Sequence, residues 1–218
     1  MTHSPYTTVV FDLGGVLIDW NPRYLYCKIF ADEAEMEDFI ARVCTQAWNE
    51  EQDAGRPLAE ATALLVAAHP QHAAHIEAYY SRFDEMFSGP IADTVAVLAE
   101  IKQAGQHRLY ALTNWAHETF PYALQTFDFL HWFEGIVVSG TEKTRKPFPA
   151  IYQTLLQRYA LDPAHTIFID DNAANVRAAQ EIGITAIQFR SPEQLRADLV
   201  AYGVLPEAAR VVRSSALS

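Results

Sequence analysis

Four short stretches hold residues whose types and spacing could do chemistry. In Val9-Val10-Phe11-Asp12-Leu13-Gly14-Gly15 a carboxylate ends a β-branched apolar run and two glycines follow closely. Burying an ionised Asp there is costly unless something pairs with it, and the glycines allow a sharp turn and close approach of a ligand to the backbone. Leu112-Thr113-Asn114 ends a second apolar run with a hydroxyl and with N–H groups at a helix entrance, a natural anion site. Lys143-Thr144-Arg145-Lys146-Pro147-Phe148-Pro149 carries three cations within four positions. Pro147 keeps Lys146 out of a helical conformation, so one cation can reach inward to neutralise a phosphate or carboxylate; Lys143 and Arg145 read better as a solvated loop. Thr166-Ile167-Phe168-Ile169-Asp170-Asp171-Asn172 sets two adjacent carboxylates after a wholly apolar run. Like charges so close repel, and a hard divalent cation is the common resolution.

Taken singly, each stretch also has an ordinary reading. Asp12 suits a turn, Thr113 and Asn114 suit helix caps, and only the paired carboxylates stand out unaided.

The elements that must position these residues follow from hydrophobic rhythm. Thr7 to Phe11 is apolar enough for a strand buried on both faces, as in a parallel sheet. A carboxylate at the C-terminal end of such a strand sits where open α/β sheets bind ligands. Val16 to Trp20 is expected to fold back as a small hairpin beside Asp12. Asn21-Pro22 then opens a helix, with Asn as cap and Pro in the first turn. Asp32 to Glu35 has capping-box spacing and starts a second helix through about Thr45. A third helix follows the Gly55-Arg56-Pro57 turn, and a fourth runs from about Gln71 to Phe87, closed by Ser88-Gly89-Pro90. A helical insertion over 19–88 is therefore expected between 1–18 and 89–205.

Beyond it the rhythm alternates. Ile91–Ala104 is helical and stopped by Gly105. Strands are expected at Arg108–Thr113, Gly135–Ser139, Thr166–Asp170 and Thr185–Phe189, with helices near 117–126, 149–160 and 173–182 and a last one from Ser191-Pro192. This βαβ alternation predicts a Rossmann-like, three-layer α/β fold on a parallel sheet. The tail over 206–218 reads as loosely held.

Composition limits the partners. The 218 residues are half hydrophobic and carry a formal net charge of −11 without a Lys/Arg-rich block, which disfavours nucleic acid and anionic membrane. An anionic substrate would need local cations or a metal against that field. Cys27 and Cys44 read as reduced core thiols. Met1 to Thr8 has no signal-peptide pattern and no apolar run reaches membrane-spanning length, so a cytoplasmic protein is expected.

In order on successive βα units, Asp12 in DLGGVL, Thr113 in ALTN, Lys146 in RKPFPAIY and Asp170-Asp171 in FIDDN resemble the haloacid dehalogenase-like (HAD) hydrolase superfamily, over essentially the whole chain. The insertion is similar to the four-helix cap of that superfamily's first cap class. Gly14 and the stretch FIDDNAANVRAAQEIGITAI resemble its glucose-1-phosphate phosphatase (YihX-like) branch; the epoxide-hydrolase N-terminal phosphatase is more distant. The resemblance implies a Mg²⁺-dependent phosphatase of small phosphorylated metabolites, monomer or homodimer, in which Asp12 forms an aspartyl-phosphate. It implies Mg²⁺ held by Asp12, the Gly14 main-chain carbonyl and Asp171, with Asp170 direct or through water. Thr113, Lys146 and N–H groups near Leu13 and Asn114 would hold the transferring oxygens.

Two positions depart from that pattern. Most such phosphatases carry an acid/base Asp two residues after the nucleophile, where this chain has Gly14; Asp19 on the expected flap is one substitute. Phe148 replaces an acid that orients the lysine in many relatives, so Lys146 is expected to be less tightly fixed. Substrate selection is expected from Trp20, Asn21 and Arg23, from Trp48, Glu51, Gln52 and Asp53, and from Trp115, where rings beside polar groups suit a sugar; for the tryptophans, packing is an equal reading. Two alternatives remain open: a 2-haloacid dehalogenase using Asp12 on carbon without metal, and a non-catalytic binding protein of the same fold.

Overall fold

The structure, a computed structural model, describes residues 4–207. The expected tail lies outside the described residues from position 208 onward.

β1 (Thr8–Phe11) is buried along its whole length. A tight turn follows it, in which the Leu13 carbonyl accepts from the Leu17 and Ile18 N–H groups at 2.8 and 2.9 Å and Gly15 adopts φ +72°. That turn delivers β2 (Ile18–Trp20). The helical insertion comes next: α1 (Arg23–Tyr26), α2 (Glu33–Arg42), α3 (Gln46–Asp53), α4 (Leu58–Ala68) and α5 (Ala73–Ser81). β3 (Phe87–Pro90) then pairs antiparallel with β2. The expected local hairpin at Val16–Trp20 is thus replaced by a ribbon whose strands come from the two ends of the insertion. Ser88-Gly89-Pro90 is strand, and not merely a stop.

Side-chain capping marks the starts of α2 and α3 in the insertion. Asp32 accepts from the Glu35 N–H, as its spacing predicts. Asn21 accepts from the Arg23 N–H, yet the helix it opens is a single turn. The second helix stops at Arg42 because Thr45 caps a separate one, accepting from the Trp48 N–H. The sequence reading missed this helix, α3. The insertion has its own core around Leu25, Tyr26, Phe39, Ile76, Tyr79 and Met86. Each such side chain contributes roughly 1.5–3 kcal/mol when fully buried. Cys44 belongs to this core, whereas Cys27 is exposed; neither forms a disulfide.

The main body continues with α6 (Ala92–Ala104), β4 (Arg108–Thr113), α7 (Phe120–Thr126), β5 (Gly135–Val138), the single turn α8 (Ser139–Glu142), α9 (Pro149–Tyr159), β6 (Thr166–Asp170), α10 (Ala173–Glu181), β7 (Thr185–Gln188) and α11 (Pro192–Ala201). Five strands form one sheet in the order β5-β4-β1-β6-β7, and every pairing in it is parallel. Side chains alternate between its faces. Val9, Phe11, Ala111 and Ile169 pack with α6 and α11 residues such as Leu98 and Leu195. Val10, Leu112 and Phe168 pack with Ile151 and Leu155 of α9 and Ala179 of α10. Continuous apolar strands are what a sheet covered on both faces requires. No helix among the described residues is long and apolar enough to cross a membrane.

At Gly140, in α8, backbone approaches backbone. A Cβ there would lie 2.5 Å from the His117 nitrogen and 2.8 Å from the Trp115 carbonyl oxygen. Gly140→Ala is expected to cost about 1–3 kcal/mol, because neither neighbour can rotate away. Urea unfolding checks this: the midpoint falls while the slope is unchanged.

Candidate active site

The strand order decides what meets at the rim of the sheet. β1 lies centrally, with Phe11 level with Ala111 of β4 and Ile169 of β6. The Asp12 N–H continues the ladder to the Ile169 carbonyl at 2.8 Å. Asp12 therefore emerges between the ends of the strands that carry Thr113 and Asp170.

Lys146 enters this gap. Its Nζ donates to Asp170 Oδ2 at 2.7 Å and to the Leu112 carbonyl at 2.9 Å, and lies 2.9 Å from Asp12 Oδ1. An ammonium has three donors and all are engaged. The Asn114 side chain fixes the lysine's backbone, accepting from its N–H at 2.8 Å and donating to its carbonyl at 3.0 Å. The expectation that Phe148 leaves Lys146 loosely fixed is thus corrected: Asn114 and the two aspartates hold it. Phe148 itself is exposed at the cavity mouth.

The acidic groups differ in how much of each remains free. Asp170 is fully buried and also receives Asn175 Nδ2 at 3.0 and 3.1 Å and the Asn172 N–H at 2.8 Å. Asp171 instead faces the cavity. Its carboxylate lies where a Cβ on Gly15 would be, 2.7 Å from Oδ2, so glycine makes this approach possible. Asp12, Asp170 and Asp171 each offer an oxygen within 4.8 Å of the others. Three carboxylates against one ammonium leave two negative charges uncompensated. Burial, together with the neighbouring acids, raises the Asp12 carboxyl well above its usual range despite Lys146. Partial desolvation and the Asp170 charge likewise raise Asp171. For Lys146, burial favours the neutral form, but Asp12 and Asp170 outweigh it and the net shift is upward. An all-oxygen donor set with that charge excess fits a hard divalent cation.

Above the cluster lies a cavity of about 660 Å³, roofed by one face of α3: Gln46, Asn49, Glu50 and Asp53. These positions share a face at helical spacing. Glu50 binds Arg145 at 2.8 Å, tying the insertion to the lysine-bearing loop. The assignment of Arg145 to a solvated surface is therefore corrected, while Lys143 is exposed. The Leu58 N–H donates to Glu118 at 2.8 Å, a second tie between insertion and core.

The other candidates divide. Gly14, Trp20, Asn114 and Trp115 line the cavity with Asp12, Lys146 and Asp171. Trp115 also stacks on Phe87, with ring centroids 5.7 Å apart. Thr113 and Leu13 are buried beside the cavity and do not line it, and the Leu13 N–H is directed at Asp12 Oδ1, 2.7 Å away. Arg23 is exposed, paired with Glu37 and away from the cavity. Asp19 accepts from the Tyr24 hydroxyl at 2.8 Å and is likewise outside the lining. Trp48 and Gln52 pack within the insertion, joined by a 2.7 Å bond from the Gln52 side chain to the Trp48 carbonyl. Gln46, Asn49, Glu50 and Asn175 were not singled out by sequence reading. The Thr45 cap followed by polar residues at i, i+3, i+4 and i+7 was the available signal for the first three.

A profile described as haloacid dehalogenase-like hydrolase matches residues 6–183. The chain is 26% identical over 186 residues to a sesquiterpene phosphatase of Aspergillus oryzae, covering 85% of this chain and 91% of that one. It is 26% identical over 191 residues to a phosphorylated carbohydrates phosphatase of Thermotoga maritima, covering 82% of each. Several other relatives are longer proteins of which it spans less than half. In fold it is similar to a HAD family enzyme of Bacteroides thetaiotaomicron solved with magnesium, at TM-score 0.65 and 23% identity, covering 85% of this chain and 94% of that one.

Replacing Lys146 by Met would leave Asp12 and Asp170 buried without their cation. Breaking a buried pair in this way costs about 3–5 kcal/mol. In EDTA the loss is expected in full at pH 8 and to shrink at pH 5, where the deserted Asp12 carboxyl, already raised by burial, takes up a proton. Urea unfolding at the two pH values measures it; an equal loss at both would contradict the charge assignment.

Proposed function

This chain belongs to the haloacid dehalogenase-like hydrolase family, and we propose that within it the chain is a Mg²⁺-dependent phosphatase of small phosphorylated metabolites. The observation that carries this reading is the cluster itself. A carboxylate stands beside a buried ammonium, with two further carboxylates whose excess charge calls for a divalent cation. Dehalogenation on carbon needs no cation, and that excess would remain uncompensated.

Asp12 is the nucleophile: one carboxylate oxygen is held by Lys146 and the Leu13 N–H, leaving the other to attack phosphorus in line. Lys146 offsets the repulsion between Asp12 and the incoming phosphate. Asp12, the Gly14 carbonyl and Asp171 are the ligands that would hold Mg²⁺, with Asp170 directly or through water. When bound, the ion supplies positive charge where the transferring oxygens gain negative charge. Backbone N–H groups near Asn114 complete the oxygen-binding set, and Thr113, enclosed beside the cavity, is assigned to that set on the family resemblance. The insertion acts as the cap, excluding water from above. Sugar phosphates are the favoured substrates, because Gln46 and Asn49 face the same cavity as Trp20 and Tyr80, a polar edge beside ring faces. This assignment suits the YihX-like branch.

Phosphate release from sugar phosphates, nucleotides and an aryl phosphate, with Mg²⁺ or EDTA, is the direct test. Release that needs Mg²⁺ and falls to background in Asp12→Asn is expected. Halide release from a 2-haloacid in EDTA would instead support the dehalogenase reading.

Mg²⁺ should also stabilise the fold unequally with pH. Protons and the cation compete for Asp12 and Asp171, whose folded-state affinities for protons are raised. Stabilisation of about 2.7 kcal/mol is expected at a hundredfold excess over Kd. At a fixed Mg²⁺ concentration the gain in melting temperature should be larger at pH 8 than at pH 5, and an equal gain at both would exclude these ligands.

A further inference from the structure

At Gly14 a side chain would meet nothing: a Cβ there has no heavy atom within 4 Å. The space that an acid/base two residues after the nucleophile would occupy is thus open to the cavity. Among the described residues four carboxylates line that cavity: Asp12, Glu50, Asp53 and Asp171. Asp12 and Asp171 belong to the cluster beneath, and Glu50 is neutralised by Arg145 at 2.8 Å. Asp53 remains. It sits at the last position of α3, is 8% exposed, and has only the Asn49 amide, at 3.3 Å, as a side-chain hydrogen-bond partner.

We propose that Asp53, presented from the insertion, is the general acid and base of this hydrolase, replacing the function absent at Gly14. The inference rests on the phosphatase reading. In the first half-reaction the Asp53 carboxyl gives its proton to the bridging ester oxygen as the P–O bond breaks and Asp12 bonds to phosphorus. In the second, the Asp53 carboxylate takes a proton from water as that water's oxygen bonds to phosphorus and the Asp12–phosphorus bond breaks. Inorganic phosphate leaves, and Asp12 and protonated Asp53 are restored.

The surroundings of Asp53 suit this task. Burial pushes its carboxyl up to about 7, with Glu50 adding to the rise and with Arg145, Lys146 and the Ala116 backbone amide opposing it. Tyr80 of α5 lines the same cavity, and the Asp53 charge acts on both Tyr79 and Tyr80. An acid poised near the working pH can serve in both directions. The helix also joins proton transfer to capping: Glu50, one turn earlier, holds α3 to the core through Arg145. A site with its insertion undocked would then lack its acid.

The test compares wild type and Asp53→Asn, which keeps size and shape, on alkyl phosphates and on 4-nitrophenyl phosphate with Mg²⁺. A poor alkoxide leaving group needs the proton, whereas nitrophenolate does not. For Asp53→Asn the expected loss in kcat is on the order of a hundredfold or more on alkyl phosphates, and no more than about threefold on the aryl ester in its first half-reaction, read as the burst of nitrophenolate. Gly14→Asp introduced into that variant should restore part of the alkyl activity. In the Mg²⁺-loaded wild type, ¹³C NMR should show an Asp carboxyl titrating near neutral pH that is missing from Asp53→Asn. Equal losses on both ester classes, no loss, or no such titration would overturn the assignment. If Asp53→Asn does not fold, the wild type decides alone, since a steep dependence of rate on leaving-group pKa would show that no acid assists. Absence of phosphate release from every ester by wild type would refute the phosphatase reading instead.

Discussion

A single buried ammonium organises the rim of the sheet. Lys146 is charged, fully enclosed, and bonded to the ends of three strands: Asp12 after β1, Leu112 in β4 and Asp170 in β6. Enclosing an ammonium costs several kcal/mol unless each donor finds an acceptor. That condition explains much of the local architecture. Asn114 clamps the lysine's backbone, and Asn175 reaches back from α10 to the same Asp170 oxygens. Its Nζ also lies over the Phe168 ring, 5.4 Å from the centroid. Lys146 cannot move without leaving two buried carboxylates unpaired.

The arrangement is nonetheless not electrostatically content. One cation faces three carboxylates, and the raised Asp12 and Asp171 carboxyls express the imbalance. Stability alone would favour removing an acid or adding a second cation. Keeping the excess concentrates negative charge at the rim at the expense of the fold's own stability. The glycines obey the same logic. Gly15 supplies the left-handed turn and the space for Asp171, and no larger residue gives both.

Much of this was legible in the sequence because it depends on local chemistry. Strands β1, β4 and β6 are largely apolar runs, and the polar residue at or just after the end of each is visible in one dimension. The caps at Asp32 and Ser191 act within three residues, so their spacing suffices. What escaped was non-local or ambiguous. β2 has an unremarkable sequence, and its partner arrives only after the whole insertion, so a local hairpin was the natural but mistaken reading. α3 was missed because its inward face is polar: with Gln46, Asn49, Glu50 and Asp53 turned to the cavity, apolar periodicity is weak. Arg145 looked like a surface cation because Glu50, its partner, lies on another part of the fold. Phe148 misled for the same reason, since the side chain that fixes Lys146 is Asn114 and the two are far apart in sequence.

The placement of Arg145 next to Lys146 ties the two halves of the molecule together. One residue of this loop neutralises the sheet rim; the residue before it grips the insertion. Any shift of α3 therefore acts on a segment whose next residue is clamped by Asn114, and the load falls on the Arg145–Glu50 contact and on the Leu58–Glu118 bond. Neither is deeply buried: Arg145 and Glu50 are 17% and 30% exposed. Contacts of this kind are typically worth about 1 kcal/mol. The rim beneath is held by enclosed charges and the insertion by its own apolar core around Tyr26 and Tyr79, and across the seam Phe83 and Phe87 pack on Trp115 with ring centroids 6.3 and 5.7 Å apart. The insertion is thus joined to the core by two polar ties and by aromatic packing on Trp115, and these contacts together hold the polar face of α3 over the cluster.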